Sequence, residues 1–318
     1  SQRDEDWKYT STRAITRAAF TPAVAGAPCP GEFVSQTTID GLDAWRLVFA
    51  DGFWQPELSL LDDLPKGVQI SGLGQSLGSE PQRIAALLGS ALGQTPHGFI
   101  AMNSAFIGDG ALIEIAPDPR VDKPIELLFI SGCSGEGFLS LPRNLVVMGA
   151  GSQATVIERH VSLADERLLS NSVSELILAD NASLNYQSVQ QVAPRGFHVG
   201  GMFARLGRSA RLQATTVTMS GALVRNDALV NLDDEGGFAS LDGLYLAFGR
   251  SHVDNHTHIT HNAPHCVSRE HYKGVLGDRG HAVFHGRIVV QSGAKKTDSV
   301  QNNQNLLLPA DAEIDTKP

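Results

Sequence analysis

Cysteine is scarce: the chain holds three, Cys29, Cys133 and Cys266, far apart in sequence and without a Cys-x-x-Cys pair. That count and spacing argue against a structural zinc site and against a disulfide framework, and they leave each cysteine as a small packed side chain. Positive charge is also in deficit. Lys and Arg number 25 against 34 Asp and Glu, a net charge of −9, and no basic run offers a nucleic-acid backbone or an anionic lipid surface a place to bind. Lys295-Lys296 reads as a solvated turn. No apolar run reaches the roughly 18 residues that a membrane-spanning helix needs, and Ser1-Gln2-Arg3-Asp4-Glu5 lacks the apolar core of a signal peptide. The expectation is a cytoplasmic protein with no nucleic-acid and no membrane partner. Enzyme signatures are missing as well. There is no Gly-x-x-x-x-Gly-Lys-Ser/Thr loop to hydrolyse ATP and no Gly-x-Ser-x-Gly elbow, and Ser162, Ser170 and Ser174 sit in ordinary polar alternation. Gly196, Gly200 and Gly201 precede no helical pattern and read as tight coil corners rather than a phosphate loop.

What is present divides in two. Hydrophobic residues make up 42% of the 318, enough for a full core. Residues 1–105 mix signals: a strand-like Trp45-Arg46-Leu47-Val48-Phe49, an Asp51-Gly52 turn, then a helical pattern over Pro81–Leu88 with the proline in the first turn. This predicts a small mixed α/β N-terminal unit. Across 106–318 the helical period disappears, and short β-rich runs separated by Gly, Asn, Asp and Ser replace it. A phrase of the form turn, then Ala-x-apolar, recurs at Ala154, Ala182, Ala210, Ala239, Ala282 and Ala312, at intervals of 28, 28, 29, 43 and 30. Such a period with almost no helix predicts a mainly β solenoid, a right-handed parallel β-helix whose coils bury their apolar faces on one another. The interval of 43 is expected to hold one insertion or an extra coil.

That long interval is where histidine concentrates: eight of the 11 lie between His252 and His285. Alternation places His252, Asp254, His256 and His258 on the outer face of one strand and Val253, Asn255, Thr257 and Ile259 inside, with His281 and His285 outside on another. Two readings of this face stay open. One is a polar, partner-facing surface, and it is preferred. The other is a metal site using His256 and His258, which needs a further ligand from a neighbouring coil because alternate strand residues stand about 7 Å apart. Near the end, Gln301-Asn302-Asn303-Gln304-Asn305 precedes three leucines. Those amides, with Asn255, are expected to stack from coil to coil in a structural role.

Several phrases together resemble a known family. Asp254-Asn255-His256-Thr257, Ser268-Arg269-Glu270, Tyr272-Lys273-Gly274, Lys296-Thr297-Asp298, the amide run with Asn302, Asn303 and Asn305, and Asp315-Thr316-Lys317-Pro318 occur in this order, after Glu5-Asp6-Trp7-Lys8-Tyr9-Thr10 and Met102-Asn103-Ser104-Ala105-Phe106. The order resembles the SufD branch of the SufB/SufD family of iron–sulfur cluster assembly proteins. The resemblance implies a non-catalytic scaffold subunit, a SufB-like paralogue and a SufC-like ATPase as partners, and a nascent iron–sulfur cluster at the interface with the paralogue rather than one held tightly by this chain alone. It implies amides at Asn302 and Asn303 near where the SufB branch carries a cysteine, and it sets the family's functional histidine beyond Pro318, so none of the eight clustered histidines inherits that role. It also implies further helical segments before Ser1 and after Pro318, the latter binding the ATPase, so that this chain is expected to pair with itself as a dimer when alone. Two other classes remain: a carbohydrate-active β-helix enzyme working through Asp233, Asp234, Glu235 and Asp242, and a generic interaction module. Co-purification with a SufC-like ATPase separates them.

Overall fold

The computed structural model describes residues 5–26, 29–93, 97–133, 135, 137–163, 165, 167–308 and 311–317. Ser1–Asp4 and Pro318, which the sequence reading used, lie outside the described residues.

β-Branched and aliphatic residues at alternate positions build a parallel β-solenoid of two sheets, one of twelve strands and one of nine. From Arg143 onward the chain alternates between them, so each coil contributes a strand to both. Parallel register ties each coil to the next: Leu223 pairs with His252 and His252 with His281 in the larger sheet, while Phe238 pairs with Val267 and Val267 with Asp298 in the smaller. Inward side chains such as Leu184, Leu212, Val230, Leu241, Ile259 and Phe284 form one continuous core, each worth about 1.5–3 kcal/mol when fully buried.

All six repeat alanines are buried in that core. They follow tight corners: Asn181 and Ser209 adopt left-handed backbone at φ 60° and 53°, immediately before Ala182 and Ala210. They do not form one column. Leu184 pairs with Ala154 and with Leu212, so Ala182 and Ala210 sit two positions earlier than Ala154. The interval of 43 contains neither an insertion nor an extra coil. Ala239 belongs to the nine-stranded sheet and Ala282 to the twelve-stranded one, where its partner one coil earlier is Val253. The phrase changes sheets at that point, which adds half a coil.

The N-terminal α/β unit holds all five α-helices found among the described residues, the last ending at Ala105. It is joined to the solenoid by strands: Trp45–Ala50 runs parallel to Ile125–Ser131, and Val68–Gly72 runs antiparallel to Ala111–Ile115. Its helices and the turn at Ala91 cover outward apolar residues of the larger sheet, Leu73 and Ile84 on Leu112 and Leu145, and Ala91 and Ile100 on Val173 and Phe203. Asn103 fastens this cover, donating to the carbonyls of Pro142 and Asn171 at 3.0 and 2.8 Å and accepting from Arg143 at 3.1 Å. Gly200 and Gly201 are not corners. They lie inside the strand Phe197–Leu206, where a Cβ would come within 2.5 Å of the His198 ring and of the Phe203 ring respectively.

Candidate functional site

Three neighbouring strands of the larger sheet, Leu223–Leu232, His252–His261 and His281–Val290, place four rows of outward side chains in register. The rows read Leu223-His252-His281, Arg225-Asp254-Val283, Asp227-His256-His285 and Leu229-His258-Arg287. The outward direction expected for the histidines and for Asp254 holds, but Asp254 is fully buried. The segment Glu5–Thr10 lies across it.

Arg225 is the hub. Its guanidinium donates to Asp227 at 2.8 Å, to Asp254 at 2.9 Å and to the Asp6 carbonyl at 2.7 Å, and the Trp7 ring covers it at 3.9 Å. Thr10 Oγ1 donates to Asp254 at 2.5 Å and lies 2.8 Å from His252 Nε2. The two histidines of the first row meet at 3.1 Å between Nδ1 atoms, and His281 Nε2 reaches Asp315 at 2.8 Å. Asp227 also holds His97 at 2.9 Å, and Asp254 lies 2.9 Å from His256 Nε2. The Trp7-to-Thr10 phrase therefore has a physical purpose: its indole and hydroxyl close a buried charge network.

Burial alone would raise the Asp254 carboxyl, but Arg225, His256 and Thr10 offset it and hold the group below its ordinary value. Asp227 is depressed in the same way, burial being outweighed by Arg225 and His97. Burial lowers His252 to about 4 and lowers His258 and His285 as well, so these imidazoles are neutral near pH 7.

The two histidines singled out as metal candidates separate. His256 faces His285 one coil away, ring centroids 4.9 Å apart, and one ligand atom from each lies within 4.8 Å of the others and of an Asp6 carboxylate oxygen. His258 stands in the next row beside Arg287, outside that group. Sequence reading assigned no site role to Asp6, Thr10, His97, Arg225 or Asp227; of these Asp6 and Thr10 lay in a phrase singled out for its resemblance.

Two family descriptions divide this chain between them. Residues 1–127 match the SufBD protein N-terminal region, and residues 130–318 match the SufBD core domain of SUF-system FeS cluster assembly. The chain belongs to the SufBD family. It is 29% identical to the iron–sulfur cluster assembly protein SufD of Escherichia coli over all of its own length and 72% of that protein, and 26% identical to a SufBD family protein of Synechocystis over all of its length and 71% of the relative. A SufBD family protein of Mycobacterium tuberculosis is 30% identical over 69% of the chain and 54% of the relative.

Inside the solenoid this SufBD chain is less apolar than its alternation implies. Glu158 accepts from Ser174 at 2.5 Å, from Ser172 at 3.0 Å and from Tyr186, and lies 2.7 Å from His160. Burial would raise it, yet those donors hold it down at about 2. Further along, Asn226 donates to Asn255 at 3.0 Å, the coil-to-coil amide contact expected for Asn255, and Thr257 donates to Glu270 at 3.1 Å. Glu270 has no such set of donors, and burial pushes it up to about 7. Asn302 is exposed, whereas Asn303 and Asn305 turn inward. These last amides do not stack on amides of the preceding coil, because their register partners there are Tyr272 and Gly274. Asn305 bonds instead to Asn303 and accepts from Tyr245, two coils away, at 2.5 Å; the absent side chain at Gly274 opens that path, since a Cβ there would sit 2.3 Å from the Tyr245 ring.

The acids of the carbohydrate-enzyme reading are not assembled. Asp233 pairs with Arg205 at 2.8 Å and Asp234 with Arg208 at 3.6 Å in a corner, while Asp242 accepts from Ser240 at 3.0 Å within the strand Phe238–Ala247 of the smaller sheet. Two of the cysteines read as separate do meet: Cys133 Sγ donates to Cys29 Sγ at 3.0 Å, and burial raises both thiols. No helix among the described residues is long and apolar enough to cross a membrane.

Proposed function

We propose that this chain is a SufD-like scaffold subunit of a SufB–SufC–SufD type complex, located in the cytoplasm and non-catalytic by itself. It pairs with a SufB-like paralogue, follows the ATP-driven movement of a SufC-like ATPase, and helps to form a nascent iron–sulfur cluster at the interface with the paralogue. The observation that carries this reading is the match of both SufBD regions end to end, together with similarity to E. coli SufD over the whole chain. Amides rather than a thiol at Asn302 and Asn303 favour the SufD-like role, since no thiolate is available there to take sulfur or iron.

Co-expression with SufB-like and SufC-like proteins from one source tests the reading. The expected result is a stoichiometric complex containing the SufB-like subunit on size exclusion. Elution of this chain alone, with both partners soluble and present, overturns it.

A further inference from the structure

The strongest unassigned cluster is the one formed by Asp6, His256 and His285. We infer that these three side chains form a mononuclear site for a divalent first-row transition ion such as Fe²⁺ or Zn²⁺, on the outer face of the larger sheet under the N-terminal segment. Two imidazoles and one carboxylate are the donor set that such ions take from proteins while keeping open positions for water or another ligand.

Three features of the fold support the assignment. First, the two histidines are register partners on adjacent parallel strands, so their separation is set by the ladder and not by the freedom of a loop. One ligand atom from each of the three residues already lies within 4.8 Å of the other two, and an ion with bonds near 2.1 Å needs only a small inward movement of the side chains. Second, the segment that carries Asp6 is anchored. Arg225 holds the Asp6 carbonyl at 2.7 Å and the Trp7 ring lies on that guanidinium at 3.9 Å, which fixes the turn that carries the Asp6 carboxylate. Third, the cations beside the site are themselves paired: Arg225, whose Nη1 lies 3.3 Å from His256 Nε2, is held by Asp227 and Asp254, and Lys317, the register partner of His285, reaches Glu5 at 3.3 Å. Asp254 Oδ1 stands 2.9 Å from His256 Nε2, so an ion held through the other ring nitrogen, Nδ1, would have Asp254 as the outer carboxylate behind the imidazole.

This inference revises the expectation that the chain alone holds no metal tightly, and it replaces the His256–His258 pair with His256–His285. It does not rest on the assembly reading, because the readout is ion binding by the isolated chain and needs neither partner nor cluster.

The test is titration calorimetry of chelator-treated protein with Zn²⁺ and, without oxygen, with Fe²⁺, supported by the visible absorption of the Co²⁺ form. One ion per chain is expected. His285→Gln and, separately, Asp6→Asn should each weaken binding at least ~10-fold, the least that loss of a direct ligand should cost when outer-shell losses already cost about 10–100-fold. His258→Gln should leave binding unchanged. Asp6 is exposed on a short turn, so its variant keeps the test decisive if His285→Gln does not fold. Absence of stoichiometric binding, or binding that neither variant weakens, overturns the assignment.

Discussion

Replacing Arg225 by Met tests whether the N-terminal segment is held by buried charge. The guanidinium is 1% exposed and its two carboxylate partners are 7% and 0% exposed, so removing it strands two anions where water does not reach. Breaking a buried ion pair by deleting one partner costs about 3–5 kcal/mol, and loss of the contact with Trp7 adds up to about 1–2 kcal/mol. A loss of about 4 kcal/mol at pH 7 is expected, a large share of the 5–15 kcal/mol typical of a folded domain. The sign with pH follows from the depressed carboxylates. Asp227 and Asp254 contribute stability that is present above their ordinary value near 3.8 and is lost as pH falls through their lower folded values. In the variant they have no guanidinium to hold them ionised, so the deficit should shrink towards pH 3 as both take up protons. Adding Asp227→Asn and Asp254→Asn to Arg225→Met removes the stranded charges and should recover most of the loss. Urea unfolding followed by circular dichroism measures the difference, and Trp fluorescence reports release of Trp7. A deficit below about 1 kcal/mol at pH 7, a deficit unchanged by pH, or a triple variant no more stable than the single one would refute the network.

Glu270→Gln should behave in the opposite sense. Its folded value of about 7 lies above the ordinary 4.5, so its protonated form favours the fold below pH 4.5 and that advantage is lost as pH rises through 7. The amide should therefore be neutral near pH 4 and stabilising by up to about 3 kcal/mol at pH 8, at 1.36 kcal/mol per pKa unit; an equal effect at both pH values in urea titrations would show that the carboxyl is satisfied. Ala210→Gln and Ala239→Gln should each cost about 1–3 kcal/mol, because both methyls face the core between coils where a longer side chain has no room. Thermal unfolding at the parent temperature for both variants would contradict that packing.

The solenoid and the directions of its side chains were legible in the chain because both depend on local chemistry. Period-two alternation placed Val253, Thr257 and Ile259 inward and His256 and His285 outward, and recurring small residues after turns marked the coils. The amide phrase and the phrase ending at Thr10 likewise pointed to the right family. Which residue meets which was decided only by tertiary structure. Register between coils depends on the length of each corner, which alternation within a strand does not report, so the sequence suggested His258, two residues along the same strand, where the ladder supplied His285 one coil away. Arg225 and Asp6 are separated by 219 residues, and Cys29 and Cys133 by 104. No periodicity in a sequence encodes a return of the N-terminus across strands made so much later, because the apolar surface that Trp7 and Ile15 bury on Phe197, Val199 and Leu223, and the charge network closed beneath them, exist only after the sheet has formed.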